Sequence, residues 1–266
     1  MSEGLIKVRI AGCTDTGLRR QHNEDHIGFD QELGIAVLAD GMGGHQSGEI
    51  ASHMAVESVL GTLQQLPNHE TSESAGAITG SHLLEQVSNT ISYSNSQIFD
   101  AAESGDTHKG MGTTLVAAMI RGSQIYAGHV GDSRLYLYRN DSLKRITRDH
   151  SLVQDLIDRG FYTEEEARKA NVGHIVTRAL GTREEVEVDT LQHDLEEGDV
   201  FLLCSDGLSD MVDDWKIEET LRELKHDLEN TAQSLIDMAN RNGGKDNISV
   251  ILMQAAMQPE IGMNSE

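Results

Sequence analysis

Apolar and polar positions along this chain follow two periods. Runs that are wholly apolar, or apolar at every second residue, predict strands at 5–12 (LIKVRIAG), 34–40 (GIAVLAD), 113–121 (TTLVAAMIR) and 124–131 (QIYAGHVG). Four more follow at 134–139 (RLYLYR), 185–191 (EVEVDTL), 199–205 (DVFLLCS) and 247–254 (NISVILMQ). Apolar residues at helical spacing predict helices at 48–65, 81–102, 151–159, 164–170, 214–225 and 228–241. Neighbouring strands such as 113–121 and 124–131 are joined too tightly for a crossover, so they pair antiparallel. Long amphipathic helices separate groups of strands. The pattern predicts an α+β fold with antiparallel sheets covered by helices, not a doubly wound parallel sheet. With no repeat and no linker, residues 1–256 read as one domain, 66–80 as a solvated loop and 257–266 as a flexible tail.

Composition narrows the class. Of 266 residues, 38% are hydrophobic and 24% charged, which suits a globular core. The 21 basic against 44 acidic residues leave a net charge of −23. That balance excludes a nucleic-acid or anionic-membrane surface, both of which need clustered Lys and Arg. The two cysteines, Cys13 and Cys204, sit in apolar strands and read as buried reduced thiols. The N-terminus lacks the apolar stretch of a signal peptide, and no run reaches the roughly 18 apolar residues of a membrane span. A cytoplasmic monomer is expected.

The chemistry lies in acidic residues at strand ends. Asp40 closes the run Ile35–Ala39, and no Lys or Arg lies within eight residues of it. A carboxylate at the edge of a core needs a partner, which must come from elsewhere in the chain or be a metal ion. Asp132 ends YAGHVGD, Asp206 ends VFLLCSD with Asp210 just beyond, and Asp246 begins DNISVILM. Glu24 and Asp25 sit in a polar turn after the first strand. If these ends share one sheet edge, seven carboxylates converge and repel unless cations neutralise them. Hard divalent ions with oxygen ligands fit, and zinc is disfavoured for want of His or Cys at ligand spacing. Arg20, four residues before Glu24, is a natural fork for phosphate oxygens. Two cations beside it point to metal-assisted phosphoester hydrolysis.

The segments RQHNED (20–25), ADGMGGHQSGE (39–49), GTT (112–114) and GHVGDSRLY (128–136) resemble the metal-dependent type 2C serine/threonine protein phosphatases, in their bacterial form. TRDHSLV (147–153), TRALG (177–181), CSDGLSD (204–210) and GGKDNISV (243–250) extend the resemblance in order along the chain. It implies a sandwich of two antiparallel sheets flanked by helix pairs, with a flap at 151–183. It implies Mn²⁺ or Mg²⁺ at two core positions: Asp40 bridging both, Glu24 and the Gly41 carbonyl on one, Asp206 and Asp246 on the other. Asp25 would orient a water, Arg20 would bind substrate phosphate, and Asp132 with Asp210 would hold a third, weaker ion. The implied partners are phosphorylated proteins, including a Ser/Thr kinase and its substrates. Where some eukaryotic members carry a leaving-group-protonating His after the Asp-Gly pair, this chain has Met42, which leaves metal-bound water or His45 as the proton source.

Other readings carry less. A cysteine-phosphatase reading of Cys204 fails because the residue six positions on is Asp210, not Arg. His45, Glu49 and His53 fall on one helical stripe but lack an HExxH pattern. The glycine clusters lack P-loop spacing. The alternative function is a non-catalytic phosphoprotein-binding module on the same fold, which a missing metal ligand or a missing Arg20 would favour.

Overall fold

The computed structural model describes residues 6–43, 47–66, 80–104, 110–163, 166–167 and 175–257. His45, Gly173, most of the predicted 66–80 loop and 164–170 helix, and 258–266 lie outside the described residues.

Among the described residues, eleven strands form two antiparallel sheets. The first has the order β1 (Ile6–Asp15), β11 (Ile248–Met257), β10 (Val200–Cys204), β7 (Arg134–Arg139), β8 (Ser142–Arg145). The second runs β2 (Asp25–Asp30), β3 (Ile35–Met42), β5 (Leu115–Arg121), β6 (Gln124–Val130), β9 (Asp189–Asp194), with β4 (Gly112–Thr113) pairing β3. Helices α1 (Ser47–Gln64) and α2 (Gly80–Ser104) cover the second sheet, and α5 (Asp214–Leu224) and α6 (Leu228–Arg241) the first. Two further short helices among the described residues are α3 (Leu152–Asp158) and α4 (Asp206–Ser209).

Three apolar layers follow from strand alternation. Ile35, Val37 and Ala39 of β3 pack on the α1/α2 side, while Ala36 and Leu38 fill the space between the sheets. In β10, Val200, Leu202 and Cys204 meet the α5/α6 pair, while Phe201 and Leu203 face the inter-sheet layer. Strands covered on both faces are apolar at every position, which accounts for the unbroken run before Asp40.

Several predicted elements need correction. The strand predicted at 185–191 lies at Asp189–Asp194, because its register is fixed by β6, with His129 opposite Asp189 and Gln124 opposite Asp194. Val186 and Val188 instead pack against the helix-side core. Asp25 is not in a turn but opens β2, paired along its length with β3. β8 was unpredicted, being a short, half-exposed edge joined to β7 by Asn140 and Asp141 at φ of 50° and 58°. Cys13 is only half-buried, whereas Cys204 is fully buried; both are free thiols.

Candidate metal centre

Alternation directs Asp40 to the inter-sheet side, with Ala36 and Leu38. Asp40 does not end its strand: β3 continues as Gly41 pairs Thr113 and Met42 pairs Gly112. Its backbone is fixed by Thr113 and Thr114. Thr114 N donates to its carbonyl at 2.8 Å and Thr113 Oγ1 at 2.9 Å, and its own N–H donates to Thr114 Oγ1 at 3.1 Å. Asp25 stands directly opposite in the β2–β3 register. From the other sheet, Ser205 Oγ donates to Asp25 Oδ2 at 2.8 Å, which ties the two layers at the rim of the core.

The acidic residues therefore do not share one sheet edge. Asp25, Asp40 and Asp132 come from the β2–β9 sheet, and Asp206 and Asp246 from the β1–β8 sheet. Two sheets stacked face to face bring their strand ends together where a single flat edge could not. Asp206 heads α4, and its Oδ1 is buried without a hydrogen-bond partner. Gly207 lets α4 touch β11: a Cβ there would lie 1.9 Å from the Asn247 carbonyl oxygen. Asp246 precedes β11 and accepts from Asn247 N at 2.9 Å on Oδ1 and from Arg20 Nη2 at 2.6 Å on Oδ2. Asp132 is buried after β6, and Asp210 is exposed at the end of α4.

Glu24 and Gly41 are neighbours through their backbones. Gly41 N donates to the Glu24 carbonyl at 3.1 Å. A Cβ on Gly41 would fall 2.1 Å from the Gly48 carbonyl oxygen, so only glycine lets the β3 end pass under the start of α1.

The acidic charges in this mouth outnumber the basic ones that reach it, Arg20 on Asp246 and Glu24, and Arg134 near Asp132. Burial pushes the Asp25 carboxyl up to about 6. Asp132 is likewise pushed up to about 6, by burial and then by Asp149. Asp40 is raised well above the usual range by burial and by Asp25, Asp206, Asp132 and Asp246. Asp206 is raised by burial and by Asp132, Asp210, Asp246 and Asp25. Burial also raises Glu24, against the pull of Arg20. A buried, all-oxygen donor set with an orphaned carboxylate oxygen fits hard divalent cations, which supply the missing positive charge. The Cys204 thiol, pushed up to about 12 by burial, offers no nucleophile.

Four supporting residues escaped the sequence reading. Asn247 is a clamp: its Oδ1 accepts from Glu24 N at 2.8 Å, and its Nδ2 donates to the Thr16 and His22 carbonyls, both at 2.9 Å. It thereby folds the Arg20–Glu24 loop over the mouth. Ser205 Oγ, besides serving Asp25, accepts from Ser249 N at 3.0 Å. Thr114 holds Asp40. His150 holds the turn before Asp132: its Nδ1 accepts from Gly131 N at 3.0 Å while its backbone N–H donates to the Gly131 carbonyl at 2.9 Å. Ser205 adjoins Asp206 and Asn247 adjoins Asp246 in the sequence, but their hydrogen bonds reach residues far away along the chain, which spacing does not reveal.

Known proteins are similar to this chain in sequence and fold. The family described as Protein phosphatase 2C matches residues 13–253. The serine/threonine phosphatase stp of Listeria innocua is 41% identical over 244 residues, covering 91% of this chain and 93% of its own. The structure of the Mycobacterium tuberculosis serine/threonine phosphatase PstP/Ppp superposes with a TM-score of 0.84 at 36% identity, covering 94% of this chain and 99% of its own. The PstP catalytic domain in complex with two manganese ions gives a TM-score of 0.81 at 36% identity, covering 95% of this chain and all of its own. With the sandwich, the acidic mouth and a family match over nearly its whole length, this chain belongs to the protein phosphatase 2C family.

Proposed function

We propose that this chain hydrolyses phosphoserine and phosphothreonine in proteins with Mn²⁺ or Mg²⁺ as cofactor. It is a phosphoprotein phosphatase, and the observation that carries the reading is the mutual field of Asp25, Asp40, Asp132, Asp206 and Asp246, drawn from two sheets into one mouth. Asp40, Glu24 and the Gly41 carbonyl would hold one core cation, and Asp40, Asp206 and Asp246 the other. Asp132 and Asp210 would serve a third, weaker ion, and Asp25 would orient a water. When bound, the cations supply the charge that activates water for attack on phosphorus.

The chain's own groups do the rest. Arg20 is half-exposed at the rim and uses one N–H on Asp246, which leaves other guanidinium donors for two phosphate oxygens. Asp246, which would help hold a core cation, is also the partner of Arg20, so the Arg20 guanidinium would be freer for substrate when Asp246 serves as a ligand. Gly41 and Asn247 keep the ligand-bearing loops in place. Segment 151–183 is proposed as the flap that meets protein substrates, within a single domain spanning 1–256. The alternative of a non-catalytic binding module is disfavoured because every expected ligand and Arg20 are present.

The proposed partners are phosphorylated proteins, among them a Ser/Thr kinase and its substrates, and the proposed state is a cytoplasmic monomer. No helix among the described residues is long and apolar enough to cross a membrane. The test is turnover of a phosphothreonine peptide. Activity that requires Mn²⁺ or Mg²⁺ and is lost in EDTA is expected. Full turnover in metal-free buffer, or a covalent phosphoenzyme, would overturn the reading.

A further inference from the structure

On the opposite face of the β2–β9 sheet, three side chains meet that the hydrolytic site leaves unused. His26, His53 and Glu57 each offer one ligand atom, and these atoms lie within 4.8 Å of one another. Their meeting follows from strand and helix periods. Asp25 faces the inter-sheet space, so His26 and Gly28 face α1. Gly28 admits the helix at contact distance: a Cβ there would lie 2.7 Å from Val56 Cγ1 and 3.0 Å from Leu60 Cδ2. His53 and Glu57 stand one turn before Val56 and Leu60, just as His26 stands two residues before Gly28. The close approach that seats Val56 and Leu60 on Gly28 therefore lays His53 and Glu57 over His26. The two imidazole rings are 4.7 Å apart between centroids and tilted by 52°.

We infer that His26, His53 and Glu57 form a separate site for a borderline transition-metal ion such as Zn²⁺, independent of the carboxylate mouth. Two imidazoles and a carboxylate are the donors that zinc selects, whereas Mn²⁺ and Mg²⁺ favour the all-oxygen mouth. Glu49, one turn before His53 on the same helical stripe, adds negative charge nearby. His26 is half-buried and the other two ligands are exposed. They border an open groove lined by His53, Met54, Glu57, Ser58 and Gln97, so an ion can enter and keep water in its remaining position. A bound ion would fasten the edge strand β2 to α1, the elements that carry Asp25 and Gly48 on the catalytic side. Of the stripe His45, Glu49 and His53 read from sequence, His53 is the ligand here, and the second imidazole, His26, comes from β2.

The test is calorimetric titration of Zn²⁺ into the Mg²⁺-saturated protein, for the wild type, His53→Ala and Glu57→Gln. Zinc enters oxygen sites as well, by the general order of affinities, so the readout is the difference between proteins. The wild type should bind one zinc equivalent more than His53→Ala, and Glu57→Gln should bind that equivalent more weakly. Both variants should keep Mg²⁺-supported ester hydrolysis, since neither residue serves the mouth. A crystal soaked in zinc should show anomalous density at His26 and His53. Equal zinc stoichiometry and affinity in all three proteins, or anomalous density confined to the carboxylates, would overturn the site.

Discussion

Asp25 and Asp40 lie directly opposite each other on neighbouring strands, both at the inter-sheet end of the sandwich. Two carboxylates so placed destabilise the metal-free fold when both ionise. The folded pKa of Asp25, about 6, exceeds the ordinary 3.8, so the folded state holds the proton that the unfolded chain has released. The sign is that of an acid raised on folding: stability is greatest below about 4 and falls as pH rises towards 6 and beyond. Asp132, also at about 6, adds to the same trend. In EDTA the unfolding free energy should therefore fall by on the order of 1–3 kcal/mol per group between pH 4.5 and 7, lowering the thermal midpoint, and Mn²⁺ should restore it at pH 7. Calorimetry across that range, with and without Mn²⁺, checks it. Identical pH profiles under both conditions would refute it.

Asp40→Asn separates catalysis from folding. It removes a carboxylate raised by four neighbours of like charge, so the metal-free protein should keep or gain thermal stability. The same change removes charge that the two proposed core cations would share, and kcat/KM in Mn²⁺ should fall by roughly a thousandfold or more. Loss of fold in EDTA would contradict the account, as would wild-type turnover.

How much of this was legible in the sequence depended on what flanked each acid. Asp40, Asp206 and Asp246 adjoin strands buried on both faces, so long apolar runs pointed straight at them. Asp25 adjoins β2, whose helix-facing positions are His26 and Gly28 rather than apolar residues, and the period-two signal fails there. The spacing that hid β2 is the spacing that seats α1 on it. Division of the acids between two sheets could not be read, because strand ends carry no mark of which sheet they join. Asn247 was invisible for a different reason: three hydrogen bonds to loop backbone leave no pattern in a single chain.

Asn247→Ala should weaken both fold and metal binding. It strands the Glu24 N–H and the carbonyls of Thr16 and His22 near a buried strand start. A lost set of this kind costs about 1–3 kcal/mol. Because the loop carries Glu24, the Mn²⁺ concentration for half-maximal activity should rise as well. Denaturant unfolding and a kinetic Mn²⁺ titration measure the two effects. A change in stability alone would leave Asn247 with no part in holding the ligand loop.

Arg20→Ala should act on substrate and not on fold. Its ion pair with Asp246 is half-exposed, and such pairs contribute little to stability. A charge-assisted contact to phosphate is worth roughly 1.5–3 kcal/mol, so kcat/KM should drop about 10–150-fold, chiefly through KM. Metal affinity should hold or improve, since Asp246 loses a competitor. Unchanged kcat/KM would reduce Arg20 to a structural role.

Asp132 and Asp210 differ in a way that would set the order of metal filling if they hold the proposed third ion. Asp132 is buried, with its turn pinned by His150, while Asp210 is exposed at the end of α4. Asp206, between them in charge contact, is raised by both and is a proposed ligand of a core ion. A third cation thus has one fixed carboxylate, one solvated carboxylate and water, which lowers its affinity relative to the core pair. Asp132→Ala should keep two core ions in a crystal structure while losing turnover, and its activity should no longer climb at the higher Mn²⁺ concentrations that fill the weak site. A mutant structure with an emptied core would assign Asp132 to the core instead. Wild-type rate and metal dependence would remove the third ion from the reaction.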